Sequence, residues 1–270
     1  MELGLTGKVA IVTGATANIG RGIALELATE GVRLVAVGRD EAAGARLVEA
    51  ARSRGAQEAV FVAADLLDPA SPARVLEAAD ALGPVAVLVN GVGGNVDQGF
   101  FVESDPAKWL GDIDLNFGTV LRMTHAVLPG MIERKSGSIV NVGSTAGIVG
   151  DYMLPVYSAM KGAVHSFTVV LAKEVGQHGV RVNAVAPYAT FAREPEAFSA
   201  GSRFHPANAF FTQNADKLSD DDRAMRMRRT LVGRPFATPE EISGVVAYFA
   251  SGRASFVTGQ VWTVDGGSLL

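Results

Sequence analysis

Tyr157 and Lys161 are separated by four residues, and on an α-helix this spacing places both side chains on one face, about one turn apart. A free tyrosine has a pKa of about 10 and is a poor acid at neutral pH. A lysine ammonium beside it favours the phenolate and lowers that pKa. The pair therefore predicts proton transfer to or from an alcohol oxygen, although such a pair also occurs by chance in many proteins.

Two further polar residues could assist this chemistry. Ser144 precedes Tyr157 by 13 residues at the end of an apolar run, and Asn116 lies further upstream. Taken singly, Ser144 is equally explained as a turn cap and Asn116 as a polar break in a long helix.

A glycine-rich turn near the start of the chain predicts a dinucleotide site. Residues 13–20 read Thr-Gly-Ala-Thr-Ala-Asn-Ile-Gly and lie between a predicted strand and a predicted helix. Glycines let the backbone approach a pyrophosphate, and the helix N-terminus supplies amide donors and a positive dipole. The candidate cofactor-binding residues of this turn are Gly14, Thr16, Asn18, Ile19 and Gly20.

The composition excludes several classes of protein. The chain has no cysteine, which excludes disulfides, thiolate metal sites and a cysteine nucleophile. A net charge of −4 argues against a nucleic-acid partner. His125, His165 and His178 are spread too widely to predict a metal site and are interpreted as structural. The N-terminus lacks a signal-peptide pattern and no apolar run reaches about 18 residues, so we expect a cytoplasmic protein without membrane contact.

Short apolar runs alternate with longer amphipathic stretches, a pattern typical of βαβ units. Because the strands are apolar on both faces, they predict a parallel sheet covered on both sides, which is a doubly wound α/β (Rossmann) fold. The predicted strands are residues 8–13, 32–37, 59–63, 85–90, 138–142, 180–185 and 260–264. The predicted helices are residues 19–30, 40–54, 69–82, 106–134, 156–177 and 239–250.

No linker divides the chain, so residues 1–270 are predicted to form a single dinucleotide-binding and catalytic domain. The one irregular segment, about residues 188–229, is interpreted as a partly helical substrate-binding lid. It contains Phe191, Phe198, Phe204, Phe210 and Phe211. These rings either cover a bulky substrate or pack the lid onto its own core or a neighbouring subunit, and both readings stay open.

With these motifs in place, the chain resembles the short-chain dehydrogenase/reductase family over nearly its whole length. The family's glycine motif is Thr-Gly-x-x-x-Gly-x-Gly, and Asn18 stands at the middle glycine. Asparagine tolerates a positive φ better than other non-glycine residues. Residues 90–93, Asn-Gly-Val-Gly, resemble the family's Asn-Asn-Ala-Gly. Tyr188 follows Pro187 where the family has glycine.

The resemblance implies a role for each candidate residue. Tyr157 would exchange the proton, Lys161 would lower the tyrosine pKa and hold the nicotinamide ribose, Ser144 would hold the substrate oxygen, and Asn116 would position a water in a relay to Lys161. Tyr188 is a further substrate-binding candidate. The remaining cofactor-binding candidates are Asp65 at the adenine, Leu66, Asn90, Gly91, Pro187 and Thr190.

The cofactor type is predicted from the end of the second strand, which reads Gly38, Arg39, Asp40. Arginine suits the 2′-phosphate of NADP because its planar fork donates two hydrogen bonds. Arg39 therefore favours NADP(H). NAD stays possible, because Asp40 is adjacent and Ala17 stands where a second basic residue is often found.

The predicted function is hydride transfer between NADP(H) and a ketone or secondary alcohol, with a bulky, apolar or cyclic small-molecule substrate. The alternatives are an NAD-dependent dehydrogenase of a cyclic alcohol or diol, and a non-catalytic dinucleotide-sensing protein. His205 is interpreted as a surface residue, and the cluster Arg223, Arg226, Arg228 and Arg229 as a solvated helix face rather than a phosphate-binding patch. The resemblance further implies a homotetramer, or at least a dimer, formed through two long helices.

Overall fold

The computed structural model describes residues 3–95, 99–194, 197–198 and 218–270. Its centre is a sheet of seven parallel strands in the order β3-β2-β1-β4-β5-β6-β7. The strands are β1 (Val9–Thr13), β2 (Arg33–Gly38), β3 (Glu58–Ala63), β4 (Val85–Asn90), β5 (Gly137–Val142), β6 (Val180–Pro187) and β7 (Val261–Val264).

Helices cover both faces of the sheet. They are α1 (Asn18–Thr29), α2 (Glu41–Ser53), α3 (Ser71–Asp80), α4 (Pro106–Ile113), α5 (Thr119–Glu133), α6 (Ala146–Val149), α7 (Pro155–Val175), α8 (Asp220–Arg226) and α9 (Pro239–Ala250). A π-helical turn, Asp114–Gly118, joins α4 to α5, and 3-10 turns lie at Phe101–Glu103, Gly176–His178 and Gly252–Ala254.

Successive residues of each strand supply two separate cores, because side chains alternate across a strand. Ala10 and Val12 of β1 belong to the cluster that contains Ile23 of α1 and Phe249 of α9. Their neighbours Val9 and Ile11 belong to the cluster on the opposite face, with the buried helical side chains Met123, Val127 and Leu171. The doubly wound parallel fold predicted from strands apolar on both faces is confirmed.

The strand order places the site. The chain runs outward from β1 through β2 to β3 and then crosses back to β4 on the other side of β1. In such sheets ligands bind at the carboxyl ends of the strands, at the point where the order reverses. The turns that follow β1, β4, β5 and β6 therefore meet at one edge.

Two local features differ from the predicted elements. The helix expected over residues 106–134 contains the π turn at Asp114–Gly118, and the short helix α6 was not predicted. In the expected lid, α8 gives the predicted helical part, whereas residues 195–196 and 199–217 lie outside the described part of the chain. Within the part that is described, no helix is both long and apolar enough to cross a membrane.

Candidate functional site

A cavity of about 1160 Å³ opens at the carboxyl edge of the sheet. It is as large as the upper range of small-molecule sites, which suits an extended ligand. Of the residues predicted to form the site, those that line it are Gly14, Thr16, Asn18, Ile19, Gly20, Arg39, Asp65, Leu66, Gly91, Ser144, Tyr157, Lys161, Pro187, Tyr188 and Thr190. Asn90 and Asn116 lie behind this lining.

The turn after β1 is packed too closely for side chains at two of its glycines. Gly14 has a φ of +65°, and a Cβ on it would lie 2.8 Å from the Gly91 carbonyl oxygen. A Cβ on Gly20 would lie 2.0 Å from the Gly14 carbonyl oxygen. Helix α1 begins here without a side-chain cap, so its first amide groups stay available to an anion.

Asn18 adopts the positive φ that its position requires, at 40°. Its side chain binds the segment that follows β6. The Asn18 amide donates to the Thr190 carbonyl at 3.1 Å and accepts from the Ala192 N–H at 3.1 Å. The side chain that replaces the middle glycine therefore joins the turn after β1 to the segment after β6.

Arg39 and Asp40 have different surroundings at the end of β2. Asp40 caps α2 by accepting from the Ala43 N–H at 2.9 Å. The guanidinium of Arg39 lies 3.9 Å from the Asp65 carboxylate, and both side chains are well exposed. An exposed pair at this distance is weak, so Arg39 is able to turn toward a ligand phosphate.

Asp65 and Leu66 form the turn after β3. Asp65 accepts from the Leu67 N–H at 3.0 Å through its side chain, and its carbonyl accepts from the Ser71 hydroxyl at 2.7 Å. The Leu66 carbonyl accepts from the Arg122 guanidinium at 2.9 Å. Hydrogen bonds from α3 and α5 thereby hold this turn in place.

Asn90 points into the protein. Its amide donates to the Thr124 hydroxyl at 3.0 Å and to the Asn141 side chain at 2.9 Å, and Asn141 donates to the Thr168 hydroxyl at 2.9 Å. This buried chain of polar groups links β4 to β5 and α7. The side chain of Asn90 thus positions the strand ends, and only its neighbour Gly91 reaches the cavity.

Tyr157 and Lys161 lie on one face of α7, as their spacing predicts. The Lys161 ammonium is 5.7 Å from the centre of the Tyr157 ring. It donates to the Val142 carbonyl at 2.8 Å, at the end of β5. Tyr157 is 9% exposed and Lys161 is 4% exposed, so water screens their interaction little.

Ser144 follows β5 and lines the same cavity. Its hydroxyl accepts from the Ala146 N–H at 3.1 Å and lies 3.5 Å from the Pro187 carbonyl. The turn-cap reading of Ser144 is therefore correct as a local description. Among the described residues, the hydroxyl hydrogen then has only the Pro187 carbonyl as an acceptor, at the 3.5 Å limit of a hydrogen bond.

Asn116 lies in the π turn and is fully buried. Its amide donates to the Gly94 carbonyl at 2.7 Å and accepts from the Gly94 N–H at 3.0 Å. A Cβ on Gly93 would lie 2.9 Å from the Lys161 ammonium and 3.1 Å from the Asn116 amide oxygen. Lys161 and Asn116 therefore both pack closely against the Gly93 backbone, which leaves no room for a side chain there.

His165 is a residue near the site whose position the sequence did not indicate. It lies one turn beyond Lys161 on α7, and its Nε2 accepts from the Ser144 N–H at 3.4 Å. Burial lowers the pKa of His165 from its ordinary value of 6.5 to about 4; the charge of Lys161 also lowers it, and a hydrogen bond to the Gly147 backbone opposes them. The ring is therefore neutral at physiological pH.

The segment after β6 closes the other side of the cavity. Thr190 donates through its hydroxyl to the Tyr188 carbonyl at 3.0 Å, and the Phe191 ring lies 5.3 Å from that of Phe198 and 6.2 Å from that of Phe236. The first contact lies within the predicted lid and the second joins it to the residues before α9, so both favour packing of the lid onto its own chain. Phe204, Phe210, Phe211 and His205, named with the predicted lid, lie outside the described residues.

The arginine cluster that follows separates into different environments. Arg223 pairs with Asp220 at 3.0 Å on α8, and both Arg223 and Arg226 line the cavity. Arg228 is shielded and pairs with Asp151 at 2.6 Å, whereas Arg229 is exposed. The prediction of one solvated helix face is therefore wrong for Arg228, and Arg223 and Arg226 both adjoin the cavity.

Comparison with known proteins identifies the family. A family model described as short chain dehydrogenase matches residues 8–195. The chain belongs to the short-chain dehydrogenase/reductase family. A second model, described as Enoyl-(Acyl carrier protein) reductase, matches residues 206–268.

Similar proteins of this family align with almost the whole length of the chain. It is 32% identical to a 3-oxoacyl-[acyl-carrier-protein] reductase FabG of Vibrio cholerae over 98% of both chains. It is 35% identical to the oxidoreductase UcpA of Escherichia coli over 98% of this chain and 96% of that one. A short-chain dehydrogenase/reductase structure from Burkholderia xenovorans has a TM-score of 0.82 at 31% identity and is covered over 97% of its length.

This short-chain dehydrogenase/reductase is therefore a Rossmann-fold oxidoreductase. Within the described residues, no group of three or more histidine or acidic side chains could hold a metal ion. Its Tyr188 and Asn18 both replace glycines of the family pattern, and both side chains bind chain segments distant in sequence. Asn18 therefore joins the turn after β1 to the segment after β6, and Tyr188 joins that segment to Arg228.

Proposed function

We propose that this protein is an NADP(H)-dependent ketone reductase, which in the opposite direction is a secondary-alcohol dehydrogenase. The observation that carries the proposal is the meeting of Tyr157, Lys161 and Ser144 with the glycine turn in one cavity. Carbonyl reduction requires a proton donor and a dinucleotide site that open into the same cavity. A non-catalytic sensor has no need of the tyrosine and lysine together, so this alternative is less well supported.

The residues present fit a dinucleotide. The close approach of Gly14, Gly20 and Gly91 forms a cradle that a Cβ would fill, and the uncapped start of α1 faces it. Arg39 would bind the 2′-phosphate, and we assign NADP(H) because Asp40 is already engaged as the cap of α2. When bound, the nicotinamide supplies hydride to a carbonyl carbon or takes it from an alcohol.

The chain's own groups would handle the oxygen and the proton. Ser144 would donate a hydrogen bond to the substrate oxygen, and Tyr157 would give it a proton during reduction. Lys161, anchored on the Val142 carbonyl, would favour the tyrosinate that remains. Asn116, which packs with Lys161 against the Gly93 backbone, would hold a water and so connect Lys161 to a proton source.

The substrate end of the cavity supports a bulky, apolar or cyclic ketone. Beside the charged Asp151, Arg223 and Arg226, apolar and aromatic lining is supplied by Leu115, Leu154, Tyr152, Tyr188, Met227 and Phe236. Side chains of this kind accept carbon skeletons by excluding water. A 3-oxoacyl thioester is the second ketone to consider, because relatives at about one-third identity are 3-oxoacyl-[acyl-carrier-protein] reductases.

The Tyr157→Phe variant tests the mechanism. It keeps the ring and removes only the hydroxyl, so cofactor affinity should stay within about twofold while turnover falls roughly 10²- to 10⁴-fold, the usual contribution of a general acid. Cofactor binding is measured by nicotinamide fluorescence and turnover by loss of its absorbance. Retention of most of the turnover would remove Tyr157 from the proton transfer.

We also propose a homotetramer, or at least a dimer, formed through α5 and α7. Leu121 on α5 is 37% exposed and Val170 on α7 is 49% exposed, so both helices present apolar side chains to solvent. Burial of such side chains drives association. Light scattering that gives a monomer would refute this assembly. The cytoplasmic location stays a prediction from the sequence.

A further inference from the structure

Arg228 connects three chain segments at the substrate end of the cavity. Its guanidinium donates to the Asp151 carboxylate at 2.6 Å and to the Thr145 hydroxyl at 2.6 Å. Its backbone N–H donates to the Tyr188 hydroxyl at 2.7 Å. The guanidinium also lies over the Tyr188 ring, 4.4 Å from its centre. One side chain thus contacts partners that are 40 to 83 residues away in sequence.

Each of these partners is next to a candidate site residue. Thr145 follows Ser144, and its backbone N–H donates to the Pro187 carbonyl at 3.0 Å. The Asp151 N–H donates to the hydroxyl of Ser158, which is the residue after Tyr157. Tyr188 follows Pro187 and lines the cavity. Arg228 therefore holds the turn that follows Ser144, and the segment bonded to the start of α7 beside Tyr157, against the end of β6.

The ion pair between Arg228 and Asp151 is partly shielded from solvent. The Arg228 side chain is 23% exposed and that of Asp151 is 25% exposed, so solvent screens this pair less than an ion pair on the surface. Removal of either charge leaves the other one shielded and unpaired. A lysine could meet Asp151, but its single ammonium cannot also reach Thr145 and cover the ring as the planar guanidinium does.

We propose that Arg228 is a positioning residue that fixes the Tyr188 ring as a wall of the substrate pocket and thereby selects which ketones fit. Arg228 acts through Tyr188 and the turn at Thr145, because it does not itself line the cavity. The selection of ketones rests on the proposed function, whereas the positioning of Tyr188 does not. The two parts can therefore be tested by separate measurements.

The test compares Arg228→Met, which keeps the aliphatic stem, with Arg228→Lys and with the control Arg229→Met. Arg229 is exposed, one residue further on, and outside the cavity lining. Hydrogen exchange of peptides that cover residues 187–192 measures the positioning without any substrate. We expect exchange there to be at least tenfold faster in Arg228→Met, intermediate in Arg228→Lys and unchanged in Arg229→Met.

The second arm measures kcat and KM for one small and one bulky cyclic ketone. In Arg228→Met, kcat/KM for the bulky ketone should change at least tenfold relative to the small one, with NADPH affinity within twofold. Should Arg228→Met not fold, Tyr188→Phe removes the hydroxyl contact alone and should speed exchange about threefold.

Wild-type exchange at 187–192 in both Arg228→Met and Tyr188→Phe would overturn the positioning. Faster exchange with an unchanged ketone preference would overturn the selection. A wild-type enzyme that reduces no ketone would refute the proposed function, and the exchange arm would still decide whether Arg228 positions Tyr188.

Discussion

The two ends of the cavity are built in different ways. The dinucleotide end is made of backbone: Gly14, Gly20 and Gly91 pack against one another's main chain, and α1 starts beside them. The substrate end is made of side chains, in which Arg228 joins Asp151, Thr145 and Tyr188. Backbone packing tolerates almost no substitution, whereas a side-chain network can be altered one contact at a time. The first end is thus suited to one fixed ligand, the proposed dinucleotide. The second end is suited to substrates that differ in shape.

The sharpest test of the backbone end is Gly20→Ala. Its Cβ would lie 2.0 Å from the Gly14 carbonyl oxygen, a backbone atom that cannot move without opening the turn. We expect a loss of about 3 kcal/mol of stability, at the upper end for overpacking, together with loss of cofactor affinity. Urea unfolding and nicotinamide fluorescence measure the two effects.

The matched control is Gly244→Ala, on an exposed face of α9 with no atom within 4 Å of the added Cβ. Alanine is the better helix former, so this variant should be equal to wild type or slightly more stable. Equal behaviour of the two variants would mean that the turn after β1 is not a close-packed cradle.

The next largest effect is expected on stability at low pH and involves His165, whose ring accepts from the Ser144 N–H behind the substrate end of the cavity. Its pKa is near 4 in the folded protein and 6.5 when it is free. The stability due to the neutral ring is therefore complete above about pH 6.5 and is lost as pH falls through that window toward pH 4, because the unfolded chain takes up the proton first. The total is about 3 kcal/mol.

The variant His165→Asn removes this difference in proton uptake. Its free energy of unfolding should fall less steeply than that of wild type as pH decreases from about 6.5 to 4. Urea unfolding at a series of pH values compares the slopes. Parallel curves would show that the ring is protonated alike in both states.

Arg39→Ala gives the smallest effect and asks whether the dinucleotide end distinguishes its cofactors. Loss of hydrogen bonds to a charged phosphate costs roughly 1.5–3 kcal/mol, so NADPH affinity should fall about 10- to 150-fold while NADH affinity stays nearly constant. Arg46→Ala on the exposed side of α2 serves as the control. Equal losses for the two cofactors would contradict the assignment of Arg39 to the 2′-phosphate.

The contrast between backbone packing at one end of the cavity and side-chain contacts at the other also explains which features could be predicted from the sequence. The strands were predicted within one or two residues because both faces are apolar, and the glycine turn because it depends on neighbouring residues. Asn18 was correctly expected to accept a positive φ, but its bonds to Thr190 and Ala192 cross more than 170 residues. Such contacts have no local pattern.

The π turn and the Arg228 network were missed for the same physical reason. Asn116 is held in its turn by the Gly94 backbone, 22 residues away. Arg228 was interpreted together with three other arginines as part of a solvated helix face, and only the fold brings it to Asp151, 77 residues away. Long-range side-chain pairing is therefore the part of the site that required the structure.

The central claim is NADP(H)-linked ketone reduction, and it is tested most directly with the wild-type enzyme. Loss of reduced-nicotinamide absorbance is followed with NADPH and, in parallel, with NADH, against bulky cyclic ketones, acyclic ketones and a 3-oxoacyl thioester. We predict turnover with at least one bulky ketone, faster with NADPH than with NADH. Tight binding of both cofactors without turnover of any ketone would contradict this claim.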